Sequence, residues 1–243
     1  MNTLKSYDWS SIDINCVHNI INSTRSDLLD KNLNPISITK KIRTAFRENG
    51  VPILIKTEIN ESVVPSKVMI GGFYEGYKDK KNKKFITIIM HYHSNSKIKV
   101  KSKIFETIKN HITDTLMHEI VHLRQYRRRN YKVISGFMSY AESATKRNNQ
   151  EYLGHQDEID AYSFNIACDL IRTYKKDKKA IVKYLNSDLD DERRRKTVFR
   201  TYLETFDWNH NHKIIKSLKK KIIHYLPYAE LGKPYKTSDW LKK

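Results

Sequence analysis

Ile104, Ile108, Ile112, Leu116, Ile120 and Leu123 recur at three- and four-residue steps, a helix-period stripe that predicts one long helix from about Lys103 to Arg127. Met117 and Val121 carry the apolar surface round its flank, so this helix is expected at the centre of the fold. Upstream, Ile14, Val17, Ile21 and Leu28 predict a first helix over Ile12–Leu29. Ile38, Ile42, Ala45 and Phe46 predict a second, with Pro35 and an N-cap at Ser37 before it and Gly50 after it. The period then changes. Val51–Ile59, Val68–Gly76 and Lys84–His93 are rich in Ile, Val, Phe and Tyr and read as strands, the last two joined by a polar turn at Asp79–Asn82.

Beyond the long helix, Asn130–Gln150 reads as a connection, either a flap or a short irregular helix. Asp157 as N-cap, followed by Ile159, Tyr162, Ile166 and Leu170, predicts the next helix. Lys178–Leu185 after Asp177, Asp190–Phe206, and His212–Leu226 capped by Asn211 complete a helical tail. In the last of these, Ile214, Ile215, Leu218, Ile222, Ile223 and Leu226 are expected to face inward and Lys213, Lys216, Lys219, Lys220 and Lys221 outward. The order of elements is that of an α+β protein in which a small antiparallel or mixed sheet packs on the long helix and a mainly helical part follows. A soft boundary near Lys175 divides residues 1–175 from a basic helical region, 176–243.

Charge changes this picture more than length does. The 243 residues carry 46 Lys+Arg against 27 Asp+Glu, a formal +19, and from Ile171 onward 20 basic residues face 9 acidic ones. Such an excess attracts polyanions, either nucleic acid or an acidic protein assembly, and the Lys/Arg-rich C-terminal helices are the expected contact; a solvated basic face accounts for the same residues without a partner. Arg124 and Arg127–Arg129 need no ligand, because cations at a helix C-terminus are stabilised by the macrodipole. A hydrophobic content of 39%, with 11% aromatic, excludes a chain disordered throughout. No apolar run approaches the roughly 18 residues of a membrane span, and Met1–Ser11 has neither the basic start nor the apolar block of a signal peptide. The expectation is a cytoplasmic protein without membrane contact, with virion association compatible with its charge. Cys16 and Cys168 are expected as two buried thiols rather than a disulfide.

The candidate chemistry is concentrated in His118-Glu119-Ile120-Val121-His122. Helix positions four apart share a face, so His118 and His122 can direct two imidazoles at one metal ion, with Glu119 one step round. H-E-x-x-H is the arrangement of two zinc ligands and a carboxylate able to take a proton from activated water. A catalytic zinc site needs a third protein ligand and an open fourth position. Gln125 and Arg128 stand where a metzincin carries Gly and His, which excludes that solution. Downstream, Glu158 lies three residues before Ala161 on the helix predicted after Asp157.

On these two motifs the stretch from about Lys103 to Arg172 resembles the gluzincin metallopeptidases and, more loosely, the zincin-like proteins encoded by large bacteriophages. The resemblance implies a zincin-like fold and one Zn2+ held by His118, His122 and Glu158. It implies hydrolysis of a protein or peptide substrate by zinc-activated water, with Glu119 as general base. It also makes Lys84–His93 a candidate for an edge strand that binds extended peptide by strand addition. The chain departs from many gluzincins in carrying Tyr162 where they have an acidic outer-shell partner. Asp114 and Asp160 are candidates to orient a ligand imidazole, and Tyr152, His155 and Tyr162 are unranked candidates for an oxyanion donor. His91 and His93 share one strand face and read first as ordinary side chains, then as a second metal site. Two other functions compete: a basic structural or nucleic-acid-associated protein on a zincin-like scaffold with zinc bound for stability, and an amidase acting on another amide such as a peptidoglycan crosslink.

Overall fold

The computed structural model describes residues 9–74, 86–132, 145–187 and 197–231. It is an α+β structure, and the described residues up to Tyr131 form one compact unit while those from Lys132 form a second. The first unit opens with α1 (Ile14–Asn22) and the short α2 (Arg25–Leu28). Where periodicity predicts one helix over Ile12–Leu29 there are two, because the hydroxyls of Ser23 and Thr24 donate back to the carbonyls of Ile20 and Ile21, each at 2.7 Å, and compete with the helical ladder. After the two-residue β1 (Asn32–Leu33), α3 (Pro35–Glu48) is capped by Asn34, whose side chain accepts from the Ser37 N–H at 2.8 Å. Asn34 rather than Ser37 is therefore the N-cap, and Pro35 fills the first-turn position where a missing N–H costs nothing.

β2 (Ile53–Ile59), β3 (Val68–Phe73) and β4 (Ile86–Tyr92) form a mixed sheet in the order β2-β4-β3. β4 runs parallel to β2, with Ile88 opposite Ile55, and antiparallel to β3, with Met90 opposite Ile70. The strand expected at an edge is thus the middle one. Its backbone donors and acceptors are taken on both sides, so it cannot add a peptide strand, and among the described residues the edges are β2 and β3. The turn predicted at 79–82 lies outside the described residues. β5 (Ile98–Lys99) pairs antiparallel with β1.

The long helix α4 (Ser102–Arg128) matches its predicted span to within a residue and buries Ile108, Ile112, Leu116, Ile120 and Leu123. It packs against β3 and β4. A Cβ added at Gly72 would lie 2.7 Å from Thr115 Cγ2 and 2.8 Å from the Thr87 carbonyl oxygen, so only glycine lets strand and helix come this close. At the other end Glu106 is bound by Lys109 (2.7 Å) and Arg25 (2.9 Å), and Lys109 also donates to Asn22 at 3.2 Å. The hydrogen bond from Lys109, with that from Arg25, holds the Glu106 carboxyl below the usual carboxylate range and ties α1 and α2 to α4.

The second unit is helical: α5 (Lys146–Gly154), α6 (Gln156–Thr173), α7 (Lys178–Asn186), α8 (Val198–Thr205) and α9 (Lys213–Leu231). Asp177 caps α7 as predicted. The cap of α6 is His155 instead of Asp157, its side chain accepting from the Asp157 N–H, and Thr197 begins α8 inside the predicted span Asp190–Phe206. Residues 133–144 of the predicted connection and 188–196 lie outside the described residues. α6 packs along α9, with Phe164 edge-on to Tyr225 at 5.7 Å. Ile215, Leu218, Ile222 and Leu226 are buried as expected, whereas Ile223 is exposed. Lys221, expected on the outer face, is half-buried and ion-paired with Asp160 of α6. Neither cysteine is disulfide-bonded; Cys168 is buried and Cys16 half-buried. Among the described residues no helix is long and apolar enough to cross a membrane.

Candidate metal centre

Residues 116 to 123 of α4 are buried without interruption, so the helix carries His118, Glu119 and His122 into an interior where each needs a polar partner. The imidazoles of His118 and His122 stand 4.7 Å apart, inclined at 76°, with their Nε2 atoms 3.0 Å from each other. Two nitrogens each about 2.0–2.1 Å from one zinc ion can be separated by at most about 4.2 Å, so this pair fits a shared cation. The other ring nitrogen of His122, Nδ1, lies 2.8 Å from Gln125 Oε1. A carboxamide oxygen only accepts, so Nδ1 carries the proton and Nε2 of the neutral ring keeps the lone pair a metal would use. Gln125 is the residue that sequence reasoning misses. A carboxamide three residues after a histidine is unremarkable on a helix, and only the side-chain geometry reveals the bond. Of the two expected orienting groups, Asp160 is ion-paired with Lys221, and Asp114 is half-buried one turn before His118.

Glu158 is in the first turn of α6 beside Asp157, where the helix N-terminus favours negative charge. It is buried, with 2% of its surface exposed, and Ala161 is buried completely. One ligand atom from each of His118, His122 and Glu158 lies within 4.8 Å of the others, and this buried group could hold a metal ion. Among the described residues no second such group forms. His91 is 3.9 Å from Glu58, and His93 is 2.9 Å from Glu61, so the two histidines face different carboxylates. Two imidazoles and a carboxylate suit zinc and other first-row divalent ions.

The three candidate oxyanion donors are used unequally. His155 is engaged through Nδ1 as the cap of α6. Tyr152 is buried at the end of α5, with its hydroxyl 3.4 Å from that of Tyr162. Burial foremost, and then the neighbouring Tyr162 and Glu158, pushes the Tyr152 phenol far above its ordinary value, and the Tyr202 phenol likewise. A phenol raised in this way is neutral at ordinary pH. No protein-family model, curated protein or solved structure matches the chain.

Proposed function

We propose that this protein is a zinc-dependent metallopeptidase of the gluzincin type on a zincin-like scaffold, with His118, His122 and Glu158 holding one Zn2+ and Glu119 acting as general base. The observation that carries the reading is the buried His–His–Glu convergence, with a fourth buried group, Glu119, directly after the first ligand. When bound, zinc supplies Lewis acidity: it polarises a carbonyl and makes water acidic enough to lose a proton near neutral pH. Glu119 takes that proton and returns it to the leaving amine, which makes the reaction an amide hydrolysis with no covalent enzyme intermediate. Gln125 keeps His122 in the tautomer whose Nε2 is available as a ligand. A structural zinc site closes its coordination with four protein ligands and has no use for a general base, whereas three donors converge among the described residues.

The test compares two variants. Glu119→Gln is expected to keep stoichiometric zinc by elemental analysis while cleaving an unfolded protein about 10²–10⁴-fold more slowly; His118→Ala loses both metal and cleavage. Stoichiometric zinc without cleavage of any unfolded protein would replace this reading with a basic, nucleic-acid-associated protein that binds zinc for stability, to which the formal charge of +19 is suited. Cleavage confined to a peptidoglycan amide would make it an amidase of the same chemistry.

A further inference from the structure

In the helical second unit, the end of α7, the turn after α8 and the first turns of α9 border a cavity of about 630 Å³, the size of a small-molecule site. Its lining includes Asn186, Trp208, His210, Lys216 and Lys219, and none of the described residues that line it is acidic. Local bonds bring the indole there. After α8 ends at Thr205 the chain turns through two left-handed residues, Asp207 (φ 56°) and Trp208 (φ 57°), and the Trp208 N–H donates to the Leu203 carbonyl at 2.7 Å. The Arg200 guanidinium, bound to Glu204 at 2.8 Å, stands over the indole 5.6 Å from its centroid and restrains the ring.

Lys216 and Lys219 are three residues apart and so share a face of α9. Lys216 is exposed and Lys219 half-buried. The Lys219 ammonium donates to Asn186 Oδ1 at 3.1 Å and lies 2.8 Å from His210 Nδ1, which fixes where its charge sits. Neither partner brings a negative charge. Lys221, two residues on, is ion-paired with Asp160, whereas Lys216 and Lys219 form no ion pair among the described residues. Burial holds the Lys219 ammonium below the ordinary lysine value. A cation drawn partly out of water without a counter-charge is unfavourable, and an anion in the cavity would offset that cost. An indole beside two such cations adds a surface on which a planar base can stack.

We propose that this cavity binds a nucleotide unit, its phosphate at Lys216 and Lys219 and its base stacked on Trp208. The site shares no residue with His118, His122 and Glu158, so it stands or falls independently of the peptidase reading. It is also distinct from the exposed Lys213 and Lys220 of α9, which do not line the cavity.

The experiment titrates the full chain with AMP, adenosine, inorganic phosphate and a short oligodeoxyadenylate, following heat and tryptophan emission. Wild type is expected to bind AMP or the oligonucleotide with partial quenching, since Trp208 is one of three tryptophans, and to bind adenosine and phosphate more weakly. Lys219→Met is expected to weaken binding about 10- to 100-fold, the loss of a charged hydrogen-bond partner. Trp208→Leu is expected to abolish the quenching and weaken binding about 5- to 100-fold. Lys213→Met, on the same helix outside the cavity, should bind as wild type does. Comparable affinity for AMP and the oligonucleotide identifies a free nucleotide as the ligand; much tighter binding of the oligonucleotide, still lost in Lys219→Met, identifies single-stranded nucleic acid. Phosphate bound as tightly as AMP, or equal weakening by Lys213→Met and Lys219→Met, overturns the proposal, as does binding of neither AMP nor the oligonucleotide. If Lys219→Met does not fold, wild-type affinity in Lys216→Met overturns it.

Discussion

His122 shows how one side chain can decide what another is able to do. Its imidazole has two nitrogens, and the 2.8 Å contact from Nδ1 to Gln125 Oε1 assigns the proton to one and leaves the other as a Lewis base. Replacing Gln125 with Leu removes the acceptor but preserves the helix, so metal affinity measured by chelator competition is expected to fall about tenfold or more. Gln125→Glu, which restores an acceptor and makes the ring more basic, should retain or raise it. Equal affinity in all three forms would mean that the tautomer is fixed by something other than residue 125. Glu119 belongs at this scale as well: at 5% exposure its carboxylate is where proton transfer needs it only if solvent or substrate reaches it, and the cleavage assay on Glu119→Gln reports that directly.

At the scale of elements, the histidines are placed by the packing of α4 on the sheet, and the tightest point of that packing is Gly72. Alanine there would drive a methyl group to 2.7 Å from Thr115 Cγ2 and 2.8 Å from the Thr87 carbonyl oxygen, and the second of these atoms is backbone that cannot swing aside. Gly72→Ala is expected to destabilise the protein by about 1–3 kcal/mol in denaturant titrations. Gly71→Ala is the internal control, because its added Cβ would meet nothing nearer than His91 Nε2 at 4.0 Å. If the two substitutions cost the same, the close approach of strand and helix is not what glycine serves. The elements also explain why some boundaries were legible and others were not. The stripe from Ile104 to Leu123 is a local property of the chain, and α4 follows it almost to the residue. N-caps were misplaced at Ser37 and Asp157 because the first turn of a helix often holds several competent residues, and which one turns back depends on the entry direction of the chain; Asn34 and His155 do so here.

For the whole molecule the governing quantity is charge. Lys213, Lys216 and Lys220 are exposed on α9 while its other face packs on α6, so the helix has both a structural side and a cationic one. Retention on immobilised duplex DNA is expected to weaken with salt, at a slope of about −0.9 per phosphate contacted. Reversing those three lysines to Glu should make the slope shallower by about 2 to 3, and an unchanged slope would remove α9 as the polyanion contact. What the sequence determined by itself was everything carried by neighbours in the chain: helices and strands from their periods, the pairing of His118 with His122 because four residues make one turn, and the basic excess. What only the tertiary structure decided was the order of the strands, with Ile86–Tyr92 in the middle of the sheet, and the company each buried polar group keeps. Asp160 is matched by Lys221, and His122 by Gln125. The reason is physical. A period records which face of an element is apolar, whereas the partner of a buried charge or hydroxyl is selected by distance and direction, which emerge only when separate elements pack.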